Sequence, residues 1–145
     1  MATIMRKMNA ISRCEAIYRT REFGEDMHGI YHSYVFAICI NPGMSQEKIA
    51  RHMCLNKSSV TRHLEWLEKN GYVERQTGSE DRRELLVYPT EKMLGIFPEI
   101  KRITFEWNRL VAEGISEEEL GIFHRILDKM LERSAEIIYS GEQAK

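Results

Sequence analysis

One segment, residues 44–88, constrains the fold of this chain more than any other. Ser45 and Asn56 are both favourable N-cap residues, because their side-chain oxygens can accept hydrogen bonds from the free amides of a helix's first turn. We predict that the helix after Ser45 ends near Met53 and that the helix after Asn56 ends near Asn70. The segment therefore begins with two short helices joined by a tight turn.

The same segment ends in a predicted β-hairpin. Gly71 stands where a left-handed residue would end the second helix, and short strands are predicted at 72–76 and 85–88. A polar loop at 77–83 joins the two strands and carries two arginines. The order helix, turn, helix, strand, loop, strand predicts a winged helix-turn-helix.

Charge is sorted within this segment, although the whole chain has a formal net charge of −1. The stretch 51–63 contains three Lys or Arg residues and no Asp or Glu. An α-helix fits the major groove of B-DNA, where short polar or cationic side chains at its start reach base edges and phosphates. The second helix begins with Lys57, Ser58, Ser59, Thr61 and Arg62. A solvated first turn of an ordinary helix would look similar, so this stretch alone favours neither interpretation.

The predicted hairpin loop adds a second basic feature. Arg82 and Arg83 lie near its tip, and Asp81 can pair with Arg83 across the turn. The narrow minor groove has a negative potential that attracts arginine, so the loop shifts the balance toward DNA binding. One alternative is a surface ion pair of small energetic value. Another is a winged helix that docks onto protein without binding DNA, although an exposed apolar patch would be more typical of that function.

Helical patterns flank this segment on the N-terminal side. Apolar residues recur at spacings of three and four from Ile4 to Tyr18, which predicts a helix over 4–22 with one apolar stripe. A second helix is predicted over 30–40, where turn-forming residues end it.

The C-terminal side is also helical in pattern. Thr90 is the predicted N-cap of a long helix that ends near Ala112, and Pro98 should kink or split that helix. Ser116 and Glu119 form a capping-box motif for the last helix, whose apolar residues alternate in steps of three and four like a coiled coil. Neither this seam nor the N-terminal stripe has an evident partner in the central segment, so we expect them to pack together and against a second subunit.

Several of these motifs together resemble the MarR family of transcriptional regulators. The matching residues are Ser45-Gln46-x-x-Ile49-Ala50, the stretch Lys57–Arg62, Leu67-Glu68-x-x-Gly71-Tyr72-Val73-Glu74-Arg75 and Asp81-x-Arg83. The tail at 97–130 resembles the dimerisation helices of this family. The similarity covers most of the chain and is weakest in 1–43. Met93 departs from the family pattern, which commonly has Gly there.

The resemblance implies a mainly α fold with a small β-hairpin wing, in which residues 1–145 form one subunit. Residues 1–40 and 91–140 would form dimerisation helices, and 44–90 would form the winged DNA-binding lobe. The implied assembly is a cytoplasmic homodimer on a pseudo-palindromic, double-stranded operator, with half-sites about 10 bp apart. We expect this regulator to be a repressor that a small molecule releases from DNA.

Carried over onto this sequence, the resemblance assigns the major-groove contacts to the start of the second helix of the lobe. These residues are Lys57, Ser58, Ser59, Thr61 and Arg62. Arg83, oriented by Asp81, would enter the minor groove, and Arg82 would lie on phosphate.

The family's small aromatic or phenolic effectors often bind where the dimerisation helices meet the lobe. In this sequence that region would gather Tyr18, Met27, Tyr31 and Tyr34, whose side chains suit a planar apolar ligand. Plain core packing is the alternative for each of them.

The three cysteines form no C-x-x-C motif, which favours a reducing environment over a disulfide scaffold. Cys14 and Tyr18 resemble the arrangement in the peroxide-sensing branch of the family, where a thiolate on the first helix is oxidised. Arg13 and Arg19 could stabilise such a thiolate. Alternatively, Cys14 is a small core residue on the apolar stripe.

Other classes of site have weaker signals. His28 and His32 stand four residues apart, as metal ligands on a helix can, but further ligands are not evident, so we expect solvated histidines and no metal. The chain lacks nucleotide-binding and hydrolase motifs, so we expect neither an enzyme nor a cofactor. The longest apolar run, 35–40, is too short to span a membrane, and the N-terminus has no signal-peptide pattern.

Overall fold

A computed structural model describes residues 3–141 of the 145-residue chain. Within that range the chain folds into helices and one three-stranded antiparallel sheet with the strand order β1-β3-β2. The elements are α1 (Ile4–Phe23), α2 (His32–Ile40), β1 (Met44–Ser45), α3 (Gln46–Met53), α4 (Lys57–Lys69), β2 (Val73–Thr77), β3 (Leu85–Pro89), α5 (Glu91–Val111) and α6 (Glu117–Tyr139). The predicted fold class, mainly α with a β-hairpin wing on a helix-turn-helix, is confirmed.

The helix boundaries follow the predicted caps. The Ser45 hydroxyl accepts the Lys48 amide at 3.2 Å, and Oδ1 of Asn56 accepts the Ser59 amide at 2.8 Å. Gly71 has a φ of 79°, as its predicted place after α4 requires. The capping box of α6 is complete, with both of its reciprocal hydrogen bonds present.

The structure differs from the sequence predictions in three elements. The helix predicted over 30–40 is a 3₁₀ turn, Gly29–Tyr31, followed by α2. Strand β1 was not predicted, because its two residues are too short for a periodic pattern and exist as a strand only by pairing with β3. The predicted split at Pro98 does not occur, since α5 is continuous. Pro98 is exposed, whereas Ile100 and Ile103 are fully buried, so burial of another face holds α5 together despite the missing amide donor.

The chain divides into two compact units, 1–107 and 108–145. In the first unit, apolar side chains from α2, α3, α4, β3 and α5 form one core. Its fully buried members include Tyr34, Ile38, Ile49, Val60, Leu64, Leu67, Val87, Met93 and Ile100. This core holds α3 and α4 against the sheet and so fixes the helix-turn-helix relative to the hairpin.

Two helices of the described chain bury no residue at all. On α1 the exposed apolar side chains are Ile4, Met5, Ile11 and Ile17. On α6, in the second unit, they are Ile122, Phe123, Ile126, Leu131, Ile137 and Ile138. Exposed apolar area of this extent is characteristic of surfaces that another chain covers.

The expectation of a solvated histidine pair is wrong for His32. His28 is exposed, and its Nδ1 accepts the Ile30 amide at 3.3 Å, but His32 is fully buried with its ring edge-on to Phe23. Burial, together with the positive charges of Arg19 and His28, lowers the pKa of His32 to about 4. Among residues 3–141 we find no group of three or more His, Cys, Asp or Glu placed to hold a metal ion. No helix in that range is long and apolar enough to cross a membrane.

Candidate nucleic-acid interface

The side-chain amide of Asn56 caps the first turn of α4. Oδ1 of Asn56 accepts both the Ser59 amide and the Ser58 hydroxyl, each at 2.8 Å. Lys57, Ser58 and Arg62 are exposed, whereas Ser59 and Thr61 are half-buried. The cap therefore fixes the direction in which this turn presents its polar side chains.

The opposite face of α4 is apolar. Val60, Leu64 and Leu67 recur at i, i+4 and i+7 and are fully buried in the core. Because this face cannot leave the core without a large cost, the exposed face with Ser58 and Arg62 must point away from the body of the lobe.

Lys57 at the start of α4 has an acidic neighbour on α3. Its Nζ lies 3.1 Å from Oε1 of Glu47, with both side chains largely exposed. An ion pair of this kind contributes little stability, so Lys57 can exchange Glu47 for a phosphate at small cost.

The loop between β2 and β3 presents an ordered arginine. Oδ1 of Asp81 accepts the Arg83 backbone amide at 3.0 Å and its Nε at 3.2 Å. The Arg83 side chain nevertheless remains 92% exposed, and Arg82 beside it is exposed as well. The loop thus holds a guanidinium in one direction without burying it.

Gly78 is what allows this loop to close tightly. Its amide donates to the Glu84 carbonyl at 2.9 Å, and the Glu84 amide donates to the Asp81 carbonyl at 3.1 Å. A Cβ added at Gly78 would lie only 2.6 Å from the Asp81 carbonyl oxygen. Any larger residue would therefore move the backbone that positions Arg83.

The loop and the start of α4 line one groove of about 480 Å³. Lys57 and Thr61 contribute from α4, and Asp81 and Arg83 contribute from the loop. The groove brings these four predicted site residues together. Ser58, Ser59, Arg62 and Arg82 are not among its lining residues.

Sequence reasoning missed three polar residues at this groove, of which Gln46 lines it and Glu68 and Arg75 do not. Nε2 of Gln46 donates to the Thr61 hydroxyl at 2.7 Å, and Oε1 of Gln46 accepts from Arg75 at 3.4 Å. Arg75 forms an ion pair with Glu68 at 3.0 Å. Their mutual hydrogen bonds raise the pKa of Arg75 and lower that of Glu68. Gln46, Glu68 and Arg75 stood in the family motifs, but contacts between residues this far apart in sequence could not be read from them.

The four predicted effector-site residues lie in more than one place. Met27 and Tyr34 are fully buried in the core. Tyr31 lies beside Tyr34, with ring centroids 6.4 Å apart, and stacks on Trp66 at 4.2 Å. Tyr18 packs against Trp107. Burial raises the pKa of Tyr34 to about 12, so its hydroxyl stays protonated.

A different cavity, of about 550 Å³, lies among α1, α2, α3 and α5. Its lining combines polar and apolar side chains, namely Arg19, Ser33, Phe36, Ala37, Ile40, Asn41, His52, Met53 and Thr104. Nε of Arg19 and the hydroxyl of Thr104 are buried without a hydrogen-bond partner among the described residues. None of the four predicted effector-site residues lines this cavity.

The three cysteines are free thiols in different environments. Cys14 on α1 and Cys54 after α3 are exposed within the single subunit. Cys39 is half-buried, and burial raises the pKa of its thiol to about 11.

Comparisons with known proteins converge on one group. The family model described as MarR family matches residues 33–85. The HTH-type transcriptional regulator YybA of Bacillus subtilis (strain 168) is 25% identical over 148 residues, which cover 99% of this chain and 98% of the relative. A SlyA-like transcription regulator from Listeria monocytogenes superposes with a TM-score of 0.90 at 27% identity, covering 98% of this chain and 96% of that one. A MarR family regulator from the same organism, solved in complex with a 26mer DNA, has a TM-score of 0.88, 27% identity and the same coverage.

Proposed function

We propose that this chain is a member of the MarR family of transcriptional regulators and that it binds double-stranded operator DNA as a homodimer. In this proposal the chain is a regulator and not an enzyme. The observation that carries the proposal is the groove shared by the start of α4 and the arginine-bearing loop. The similarity to the Listeria monocytogenes regulator solved with a 26mer DNA supports DNA binding by this fold.

In this proposal α4 is the recognition helix. Its first turns enter the major groove, where serine and threonine hydroxyls meet base edges and cationic side chains meet phosphates or guanine. The contacting residues are Lys57, Ser58, Ser59, Thr61 and Arg62.

The β2–β3 loop serves as the wing. Arg83 is already ordered by Asp81, so it enters the minor groove with less loss of conformational entropy than a free arginine. Arg82 lies on the adjacent phosphate.

The homodimer is supported by the apolar surfaces of α1 and α6. Each helix exposes several large apolar side chains and buries none of its described residues. A two-fold partner that covers residues 1–40 and 91–140 would remove this area from water, which favours association. The two lobes, residues 44–90, would then read half-sites about 10 bp apart.

Repression with release by a small molecule is the regulatory part of the proposal. The cavity beside Arg19 is a second candidate location for the predicted aromatic or phenolic effector. Nε of Arg19 has no hydrogen-bond partner among the described residues, so it can donate to an acceptor on the ligand. A ligand can weaken DNA binding only by its differential affinity for the two states of the dimer.

A thiol-based oxidant sensor is the second candidate, since the Cys14 thiol is free and is exposed within the single subunit. Mass spectrometry after mild cumene hydroperoxide treatment tests it, with half-buried Cys39 as an internal reference. Oxidised Cys14 with reduced DNA affinity would support this candidate, and an unmodified Cys14 with unchanged affinity would exclude it.

The proposed function is tested with wild-type protein and a labelled duplex from the protein's own upstream region. Fluorescence anisotropy over a range of salt concentrations should give a log–log slope of about −0.9 for each phosphate contacted. Sedimentation of the complex should give two chains per duplex. A confirmed dimer that binds this duplex no better than a random one at any salt concentration would instead favour a winged helix that docks onto protein.

A further inference from the structure

One hydrogen-bonded network links three elements of the winged lobe. Nε2 of Gln46, the first residue of α3, donates to the Thr61 hydroxyl on α4 at 2.7 Å. Oε1 of Gln46 accepts from Nη1 of Arg75 on β2 at 3.4 Å. Arg75 is in turn held by Glu68 of α4, with Nη2 to Oε1 at 3.0 Å and Nε to Oε2 at 3.2 Å. The network therefore begins and ends on α4.

Its two attachment points on α4 lie on nearly the same face. Thr61 and Glu68 are seven residues apart, which corresponds to about two helical turns. Gln46 links the helical turn that contains Thr61 to α3. Arg75 links the turn that contains Glu68 to β2. Contacts at two heights on one face oppose rotation of α4 about its own axis, and they also fix the distance from α4 to β2.

The hydroxyl of Thr61 is engaged on both sides. It donates its only proton to the Lys57 carbonyl at 2.9 Å while it accepts from Gln46. The arrangement therefore holds Thr61 in one rotamer at the edge of the groove that Lys57 and Arg83 also line. The guanidinium of Arg75 similarly fixes which end of the Gln46 amide faces Thr61.

We propose that Gln46 is a positioning residue of the DNA interface, which acts through Thr61 and Arg75 to hold α4 in the orientation that sequence preference requires. This inference rests on the proposed function. Phosphate attraction depends mainly on the number of cationic side chains, whereas base readout depends on close alignment of donors and acceptors. Loss of the network should therefore reduce discrimination among sequences more than it reduces binding to random DNA.

The test selects bound sequences from a duplex pool with a randomised centre, using the full-length dimer. The variants are Gln46→Ala, Thr61→Val and the double variant, with Gln76→Ala as the matched control on an exposed side chain of β2. Gln46→Ala should lower the preference for the best sequence over random duplex by about tenfold, the order of one neutral hydrogen bond. Thr61→Val should lower it at least as much, because it also removes a proposed DNA contact. The double variant should lose little more than Thr61→Val, because both changes remove the same Gln46–Thr61 bond.

Arg75→Lys supplies a second variant with unchanged charge. It keeps the cation but loses the two-pronged contact with Glu68, so it should also broaden the selected sequences while random-duplex affinity and its salt slope stay as in wild type. Circular dichroism and thermal unfolding check that each variant is folded. If wild type selects a sequence and Gln46→Ala selects it equally well, the positioning role is overturned while the proposed function stands. If wild type selects no sequence, both are overturned.

Discussion

The hydroxyl of Tyr34 lies 2.7 Å from Nδ1 of His63, and this contact joins α2 to the second turn of α4. Tyr34 is fully buried, and His63 directly follows Arg62, one of the proposed DNA contacts. One turn further along α4, Trp66 stacks on Tyr31, which precedes α2. Helix α4, the proposed recognition helix, is therefore anchored on the side away from its exposed face by Tyr31 and Tyr34.

Tyr34→Phe should destabilise the protein by about 1–2 kcal/mol, because it leaves Nδ1 of His63 partly buried without a partner. Urea unfolding followed by circular dichroism measures the change. The double variant Tyr34→Phe with His63→Leu should recover part of the loss, since it leaves no unpaired polar atom. Full stability in Tyr34→Phe would mean that the contact contributes nothing.

His32 should make the protein less stable as the pH falls. Its folded pKa of about 4 lies below its ordinary value of 6.5, chiefly because burial disfavours the charged ring. The unfolded chain therefore binds a proton first, so the contribution of His32 is complete above pH 6.5 and is lost progressively as the pH approaches 4. The expected loss by pH 5 is about 2 kcal/mol.

Urea unfolding at pH 7.5 and pH 5 of wild type and His32→Phe isolates this effect from the other titrating groups. The variant should show a smaller loss of stability between the two pH values. His124→Gln is the matched control at an exposed ring on α6 and should keep the wild-type pH dependence. Equal losses in wild type and His32→Phe would contradict the assignment.

Gly78→Ala should weaken DNA binding by about tenfold, because the new Cβ would meet the Asp81 carbonyl oxygen and displace the wing loop. Gly95→Ala is the matched control, since a Cβ there would meet nothing within 4 Å. That control should bind DNA as wild type does and gain about 0.5–1 kcal/mol of stability from its helical position. Anisotropy titrations and urea unfolding compare the two, and equal DNA affinity would show that the loop tolerates the change.

Local signals in the sequence predicted more of this structure than long-range ones. Ser45, Asn56 and Gly71 act on backbone groups within a few residues, so their caps and turns could be read directly. The mainly helical fold with a wing followed from the order of these signals. The Gln46–Arg75 contact, by contrast, joins residues 29 positions apart, and nothing in either local pattern requires it.

His32 and the predicted effector-site residues depend on side-chain packing that the sequence does not specify. The sequence pattern predicted a solvated His32 because it does not show that Phe23 packs against this ring. Tyr31 and Tyr34 were predicted to line an effector pocket. In the structure Tyr31 stacks on Trp66, and the Tyr34 hydroxyl contacts His63. The position of a cavity depends on the space that remains after side chains have packed, and the amino-acid composition does not specify that space.

Arg83→Ala tests most directly whether the arginine of the wing contacts DNA. Arg133→Ala is the matched control, because it removes an exposed arginine that is likewise paired with a carboxylate, but on α6. Arg62→Ala extends the test to the recognition helix, where it should also relax sequence preference. Each variant is titrated by anisotropy against the upstream duplex and a random duplex at two salt concentrations.

Arg83→Ala should weaken binding to both duplexes and reduce the salt slope by about one, while Arg133→Ala should behave as wild type. If Arg83→Ala binds both duplexes with the affinity and salt slope of wild type, the wing does not contact DNA and the account of this interface is wrong.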